Sequence, residues 1–169
     1  MTVIIVEGES DRVALEVLST RMGVALPTIL TVGGASGARR AVSELPDEST
    51  IGLVDSNERA QFDRVIERVF VCDPDLEGEL VRALGTDAVE AVIAAQGELE
   101  SFRRLQNQPA QRGRPVEAQL ARFFGGRSGN KLRYARLLAM AIPLDRMPAP
   151  LAALIQAADH DRPAGDRDA

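Results

Sequence analysis

Three short hydrophobic runs that end in acidic residues decide the fold: VIIVEGESD (residues 3–11), IGLVDSNE (51–58) and VFVCDPDLE (69–77). Each run is apolar and β-branched with turn residues at its end, which is typical of a buried strand. In an open parallel sheet, ligands bind beyond the carboxyl ends of the strands. We therefore expect the acids of these runs to gather at one edge of a sheet: Glu7, Asp11, Asp55, Asp73, Asp75 and Glu77.

A gathering of acids at one edge predicts a divalent-metal site. Close carboxylates repel each other unless a positive charge joins them, and oxygen-rich clusters suit Mg²⁺ or Mn²⁺. We expect the carboxylates of Glu7, Asp11, Asp55 and Glu77 to lie within one metal-site radius. Asn57 offers a further oxygen, and it points the same way as Asp55 if the backbone stays extended. Any single acid can instead be a helix cap or a turn residue.

The first half of the chain alternates strands with short helices. Strands are predicted over residues 3–6, 28–32, 50–54 and 69–72, and helices over 12–22 and 38–45. This order predicts βαβ units and a parallel sheet. After residue 73 the pattern is helical, apart from a polar loop over 106–115. We predict one α/β domain over residues 1–158 with its core in 1–96, a C-terminal helical extension, and a disordered tail over 159–169.

Composition excludes several classes of protein. The 169 residues suffice for one domain, and a hydrophobic fraction of 45% with only 4% aromatic residues predicts an aliphatic core. A single Cys72 and a single His160 exclude a disulfide framework and a structural zinc site. The sequence has no stretch as long as a membrane span and no signal peptide, so we expect a cytoplasmic protein without a membrane partner.

Charge is unevenly distributed along the chain. The net charge is −5, but residues 103–136 hold nine basic residues and one acid, so this segment carries +8 and the remainder −13. An acidic half that faces a basic half suits a phosphate substrate bridged by metal. The alternative is that these arginines lie on solvated helices. The candidate DNA contacts are Arg103, Arg104, Arg112, Arg114, Arg127 and Arg133.

Lys131 is the only lysine among 19 arginines, and it follows the glycine-rich segment GGRSGN (125–130). Lysine is a compact point charge that can transfer a proton, unlike arginine. A loop of this composition has the freedom to approach phosphate. It is not a Walker A loop, because Asn130 stands where that motif needs glycine and no strand precedes it. We therefore expect no ATP site in this chain.

The ordered set VIIVEGESD, GG, LVDSNE, VFVCDPDLE and GNKLRYA resembles the Toprim domain of OLD-family endonucleases over residues 1–158. The resemblance implies a Toprim-like (Rossmann-like), mainly parallel four-stranded sheet and a two-metal nuclease. It implies that Glu7, Asp11 and Asp55 bind one or both ions, that Glu77 with Asp73 or Asp75 completes the second ligand set, and that Lys131 is the active-site lysine. The chain departs from the topoisomerase-type Toprim pattern, because Asn57 replaces the second aspartate of D-x-D.

The activity implied by this resemblance is hydrolysis of DNA phosphodiester bonds with two Mg²⁺ or Mn²⁺ ions. OLD proteins usually carry an ATPase domain before the Toprim domain, whereas this chain starts with the Toprim strand. We therefore expect no ATP dependence, and we expect DNA, a separate ATPase chain or a second copy as partners. Two alternatives stay open: a non-catalytic Toprim module that binds DNA or an ATPase, and a Mg²⁺-dependent phosphohydrolase, since D-x-D also occurs in haloacid-dehalogenase-like enzymes.

Overall fold

A computed structural model describes residues 1–161 and shows a four-stranded parallel sheet with strand order β2-β1-β3-β4. The strands are β1 (Thr2–Val6), β2 (Ile29–Thr31), β3 (Ser49–Asp55) and β4 (Arg68–Cys72). The predicted α/β class and parallel sheet are confirmed. All four carboxyl ends therefore lie at the same edge of the sheet.

Helices follow each strand and then form the second half of the chain. They are α1 (Glu9–Met22), α2 (Ala35–Ser43), α3 (Arg59–Phe62), α4 (Leu76–Leu84), α5 (Thr86–Ala95), α6 (Leu99–Gln106), α7 (Val116–Gly125), α8 (Asn130–Ala141) and α9 (Ala149–His160), with a 3-10 turn at Leu144–Arg146. Within residues 1–161, no helix is long and apolar enough to cross a membrane.

The sheet is covered on both faces, because successive residues of a strand point to opposite sides. Ile4 and Val6 of β1 join a large hydrophobic cluster with α1 and the helices that follow β4. Ile5 points the other way, into a smaller cluster with Ala38 of α2 and Phe62 of α3. Burial on both faces explains why the strands are continuous apolar runs.

The helical extension shares the core of the sheet. The large cluster runs without interruption from β1 through Phe102, Phe124 and Tyr134 to α9, so the hydrophobic core continues well past residue 96. Helix α9 packs against β3 and β4. It ends at His160, two residues past the predicted end of the domain at 158, and residues 162–169 of the predicted tail lie outside the described residues.

Backbone hydrogen bonds fix the turns at the carboxyl edge. The amide of Ser56 donates to the carbonyls of Cys72 (2.9 Å) and Pro74 (3.1 Å), which ties the turn after β3 to the turn after β4. The amide of Gly33 donates to the carbonyl of Glu7 (2.9 Å), which ties the end of β2 to the end of β1. The four strand ends are therefore held together in two pairs.

Candidate functional site

A cleft of about 220 Å³ opens at the carboxyl edge of the sheet; we call it the acidic cleft. It is lined by Glu7, Gly8, Ser10, Asp11, Gly33, Asp55, Leu76, Glu77 and Lys131. Acids from three separate strand ends meet here, as the sequence predicts.

Each acid of the cleft is carried by a strand end or by the helix turn that follows it. Glu7 directly follows β1, and Asp55 is the last residue of β3. Asp11 lies in the first turn of α1, where its Oδ2 accepts a hydrogen bond from the Gly8 amide (2.8 Å). Glu77 lies in the first turn of α4 and is 5% exposed. Acids near a helix N-terminus also interact favourably with the helix dipole.

The acidic cleft concentrates negative charge that its own residues do not neutralise. Burial, with the charges of Asp55, Glu77 and Glu7, raises the pKa of Asp11 to about 7. Burial, with the charges of Asp75 and Glu77, raises the pKa of Asp55 to about 6. Both shifts show that the charged carboxylates are unfavourable here, as expected for groups that need a cation.

Glu58 faces Glu7 and was not among the predicted site residues. Burial raises the pKa of Glu7, and the charge of Glu58 and a hydrogen bond between the two carboxyl groups raise it further. The signal that could have identified Glu58 is its place at the end of the quoted run IGLVDSNE.

Lys131 supplies the positive charge of the acidic cleft. Its Nζ lies 3.6 Å from Oε1 of Glu77, an oxygen that is buried and accepts no hydrogen bond. The lysine charge also lowers the pKa of Glu7 and of Asp55, although burial and the other acids outweigh it. Lys131 starts from the N-terminal turn of α8, and its side chain is 57% exposed, so it can also contact a bound phosphate.

The acids share the cleft but do not converge. Among residues 1–161, no three Asp, Glu, Cys or His side chains come close enough to hold a metal ion. The carboxylates therefore do not lie within one metal-site radius in this arrangement, and their role as metal ligands stays a prediction.

Three other predicted ligands do not line the acidic cleft. Asn57 is exposed, because residues 56–58 form a turn and the strand alternation that would aim it beside Asp55 ends there. Asp73 is exposed. Asp75 is the N-cap of α4, where its side chain accepts from the Gly78 amide (2.8 Å), yet its charge is close enough to raise the pKa of Asp55.

None of the predicted DNA-contacting arginines lines the acidic cleft. Among the described residues, the only cation that lines the acidic cleft is Lys131. Arg103 pairs with both oxygens of Glu90 (2.9 and 2.5 Å). Arg133 pairs with Glu98 (3.2 Å), and Arg127 approaches the same acid (3.9 Å).

The last three arginines of that set lie apart from these ion pairs. Arg112 donates to the carbonyl of Asn107 (2.9 Å). Arg104 and Arg114 are exposed.

Cys72 is buried in β4, as predicted, and burial raises the pKa of its thiol, so a thiolate nucleophile is not available.

Solved structures of OLD proteins have a similar fold. The C-terminal region of the Xanthomonas campestris pv. campestris OLD protein has 20% sequence identity and a TM-score of 0.66, with 94% of both chains covered. The C-terminal region of the Burkholderia pseudomallei OLD protein has 19% identity and a TM-score of 0.64, covering 93% of this chain and 96% of that one. No family model matches the sequence, and no curated protein does so significantly.

The sheet order, the acidic cleft and these likenesses together define an α/β domain with a Toprim-like fold. More narrowly, the fold is that of the C-terminal region of OLD proteins, and the similarity includes the helical extension because it covers nearly the whole chain.

Proposed function

We propose that this chain is a metal-dependent DNA nuclease of the OLD-type Toprim class, acting in the cytoplasm, where DNA is accessible. The observation that carries the proposal is the acidic cleft, in which Glu7, Asp11, Asp55 and Glu77 face one lysine at the carboxyl edge of the sheet.

The donors of the acidic cleft fit Mg²⁺ or Mn²⁺. They are carboxylate oxygens, which hard divalent cations prefer. Oε1 of Glu77 is buried without a hydrogen bond, and the pKa values of Asp11 and Asp55 are raised by burial and by neighbouring acids. Glu7, Asp11, Asp55 and Glu77 would hold the ions, and Asp75 is the better placed of the two later aspartates, because its charge reaches Asp55.

In the proposed hydrolysis, the metal ions and the side chains would have different roles. Bound divalent ions supply an activated water and charge stabilisation at the leaving oxygen. Glu7, whose pKa is raised by burial and by the charges of Glu58 and Asp55, would take up the proton that the attacking water loses. Lys131 neutralises the negative charge that develops on the phosphate, since its ammonium lies at the rim of the cleft.

A three-part assay tests the proposal on the purified chain. Cleavage of plasmid and linear DNA is measured with Mg²⁺, with Mn²⁺ and with EDTA, beside hydrolysis of p-nitrophenyl phosphate and DNA binding. Metal-dependent cleavage of DNA without hydrolysis of the small phosphate ester supports the nuclease. The reverse result supports a phosphohydrolase, and binding alone supports a non-catalytic module.

The non-catalytic module is the second candidate, and one observation favours it. No three described acids converge on a metal-binding geometry, and Asn57 lies outside the cleft. A module of this kind would bind DNA or a separate ATPase chain through the same edge. Mg²⁺ titration by calorimetry distinguishes the two, because the nuclease must bind the ion and the variant Asp55→Asn must weaken that binding.

A further inference from the structure

A second cleft, on the helical extension, has the opposite charge. It has a volume of about 310 Å³ and lies between α6, α7 and the segment that follows α7. We call it the basic cleft; it is lined by Ser101, Arg104, Leu105, Gln108, Arg122, Phe123, Gly126 and Arg127. Among the described residues, its lining includes three arginines and no acid.

Two of these arginines have no charged or hydrogen-bonding partner among the described residues. Within residues 1–161, neither Arg104 nor Arg122 forms an ion pair or a side-chain hydrogen bond. Residues 118–126 contain no acid, so Arg122 has none within one helical turn. Arg103, next in sequence to Arg104, is instead held by Glu90. The chain has 25 acids, yet these two guanidinium groups remain available to a ligand.

The third arginine of the basic cleft is only partly neutralised. Arg127 donates to the hydroxyl of Ser101 (3.3 Å) and lies 3.9 Å from Glu98. Glu98 also accepts from Arg133 and from the hydroxyl of Tyr134, so one negative charge is shared among several donors. The basic cleft therefore keeps a net positive charge with a hydroxyl and an amide at its rim, which suits a phosphate group.

One short segment joins the basic cleft to the acidic cleft. Arg127 lines the first and Lys131 lines the second, and four residues of chain span at most about 14 Å. Phosphates of one DNA strand rise about 3.4 Å per nucleotide. The Cα atoms of Arg127 and Lys131 are therefore no further apart than the rise of about four nucleotides.

We propose that the basic cleft holds the phosphodiester backbone of the same DNA strand whose phosphate is bound at Lys131. Arg104 and Arg122 bind the backbone, and Arg127 and Ser101 complete the contact. This inference rests on the proposed function, because it takes DNA as the substrate. The DNA strand would then run over the protein surface from the sheet edge to the helical extension.

The test is DNA binding by the full chain in EDTA, where cleavage cannot interfere. The double variant Arg104→Gln/Arg122→Gln is compared with the control Arg39→Gln/Arg64→Gln, which removes the same charge from exposed positions of α2 and the turn after α3, on the other face of the sheet. Fluorescence anisotropy gives Kd for a labelled strand of about 12 nucleotides over a range of salt.

We expect the Arg104/Arg122 variant to lose affinity for the strand by about tenfold or more, with a salt slope smaller by about 2. The control should bind as the parent does. Equal losses in both double variants, an unchanged affinity in the first, or a parent that does not bind DNA would each overturn the proposal.

Failure of the proposed function is separable from failure of this inference. A parent that binds DNA through Arg104 and Arg122 but does not cleave it in Mg²⁺ or Mn²⁺ refutes the nuclease and leaves the basic cleft in place. A parent that cleaves DNA while the Arg104/Arg122 variant binds with unchanged affinity refutes the basic cleft and leaves the nuclease in place.

Discussion

The acidic cleft and the basic cleft hold their charges in different ways. Glu77 is 5% exposed and Asp11 9%, and both project from turns fixed by the sheet. Arg104 and Arg122 are exposed on helices and free of ion pairs. Buried charges on a rigid frame interact strongly over short distances, whereas exposed charges are screened by salt. If the proposed function holds, we expect the sheet edge to determine the rate of cleavage and the helical extension to determine the affinity for DNA.

The largest expected effect is at Glu7. Glu7→Gln should abolish cleavage, because the amide can neither carry the negative charge nor accept the proton, and the fold should persist since the side chain is nearly the same size. Cleavage in Mg²⁺ and the thermal unfolding midpoint are the two measurements. Glu44→Gln, which changes an exposed acid at the end of α2, is the matched control. Full activity in Glu7→Gln would remove this residue from the mechanism.

Lys131 should affect rate more than affinity. Lys131→Ala should lower the single-turnover rate by about 100- to 1000-fold, because a lysine that neutralises developing charge stabilises the transition state more than the bound substrate. Lys131→Arg should recover part of the rate, since guanidinium keeps the charge but is larger and planar.

The control for Lys131 is Arg136→Ala, which removes an exposed charge from the same helix. The paired measurements are the single-turnover rate and the Kd for DNA. If Lys131→Ala lowers the rate and the affinity in equal proportion, the lysine is ordinary surface charge and the comparison between the two clefts fails at this residue.

Arg103 and Arg104 are neighbours in sequence, but they should contribute differently to the affinity for DNA. Arg104→Gln should weaken DNA binding by a few fold, whereas Arg103→Gln should change it by less than about twofold, because Glu90 already neutralises Arg103. Kd measured in EDTA at low salt checks both. A larger loss in Arg103→Gln than in Arg104→Gln would show that ion pairing in the free protein does not decide which arginines meet DNA.

The smallest expected effect is on stability. Asp11→Asn should raise the Tm of the metal-free protein by a few degrees at about pH 8, because it removes a buried charge while the amide oxygen still accepts from Gly8. The pKa of Asp11 is raised from 3.8 to about 7, so the folded protein binds this proton more tightly than the unfolded chain. The destabilisation is absent below pH 3.8, grows as the pH rises, and is complete above about 7.

The stability prediction is checked by thermal unfolding in EDTA at both ends of that pH range. The Tm difference between Asp11→Asn and the parent should be largest above about pH 7 and vanish near pH 4. Asp47→Asn, at an exposed turn, serves as the control. Mg²⁺ should raise the Tm of the parent and not that of Asp11→Asn. A difference that is independent of pH would assign the effect to packing.

Much of the sheet and part of the site followed from local sequence. The strands are apolar runs bounded by turns, and α4 occupies residues 76–84 as its periodicity predicts. The meeting of Glu7, Asp55 and Glu77 followed from parallel topology alone. These features depend on interactions that are near in sequence or on general rules of sheet geometry.

The position of Asn57 outside the acidic cleft could not be predicted, because it depends on long-range hydrogen bonds. The Ser56 amide donates to Cys72 and Pro74, which turns the chain away from the extended path that would aim Asn57 beside Asp55. The ion pairs of the arginines could not be predicted from the sequence either. Arg133 finds Glu98 across a separation of 35 residues, and a charge count cannot show such pairs.

The packing of α9 against β3 and β4 sets the order in which the domain can assemble during synthesis. Strand β3 is synthesised about a hundred residues before Leu154 and Ile155, which belong to the large cluster that covers it. Until then one face of the sheet lacks part of its cover, and such surfaces favour aggregation. Contacts this distant in sequence also slow folding. The nascent chain therefore depends on its last described helix to become a finished domain.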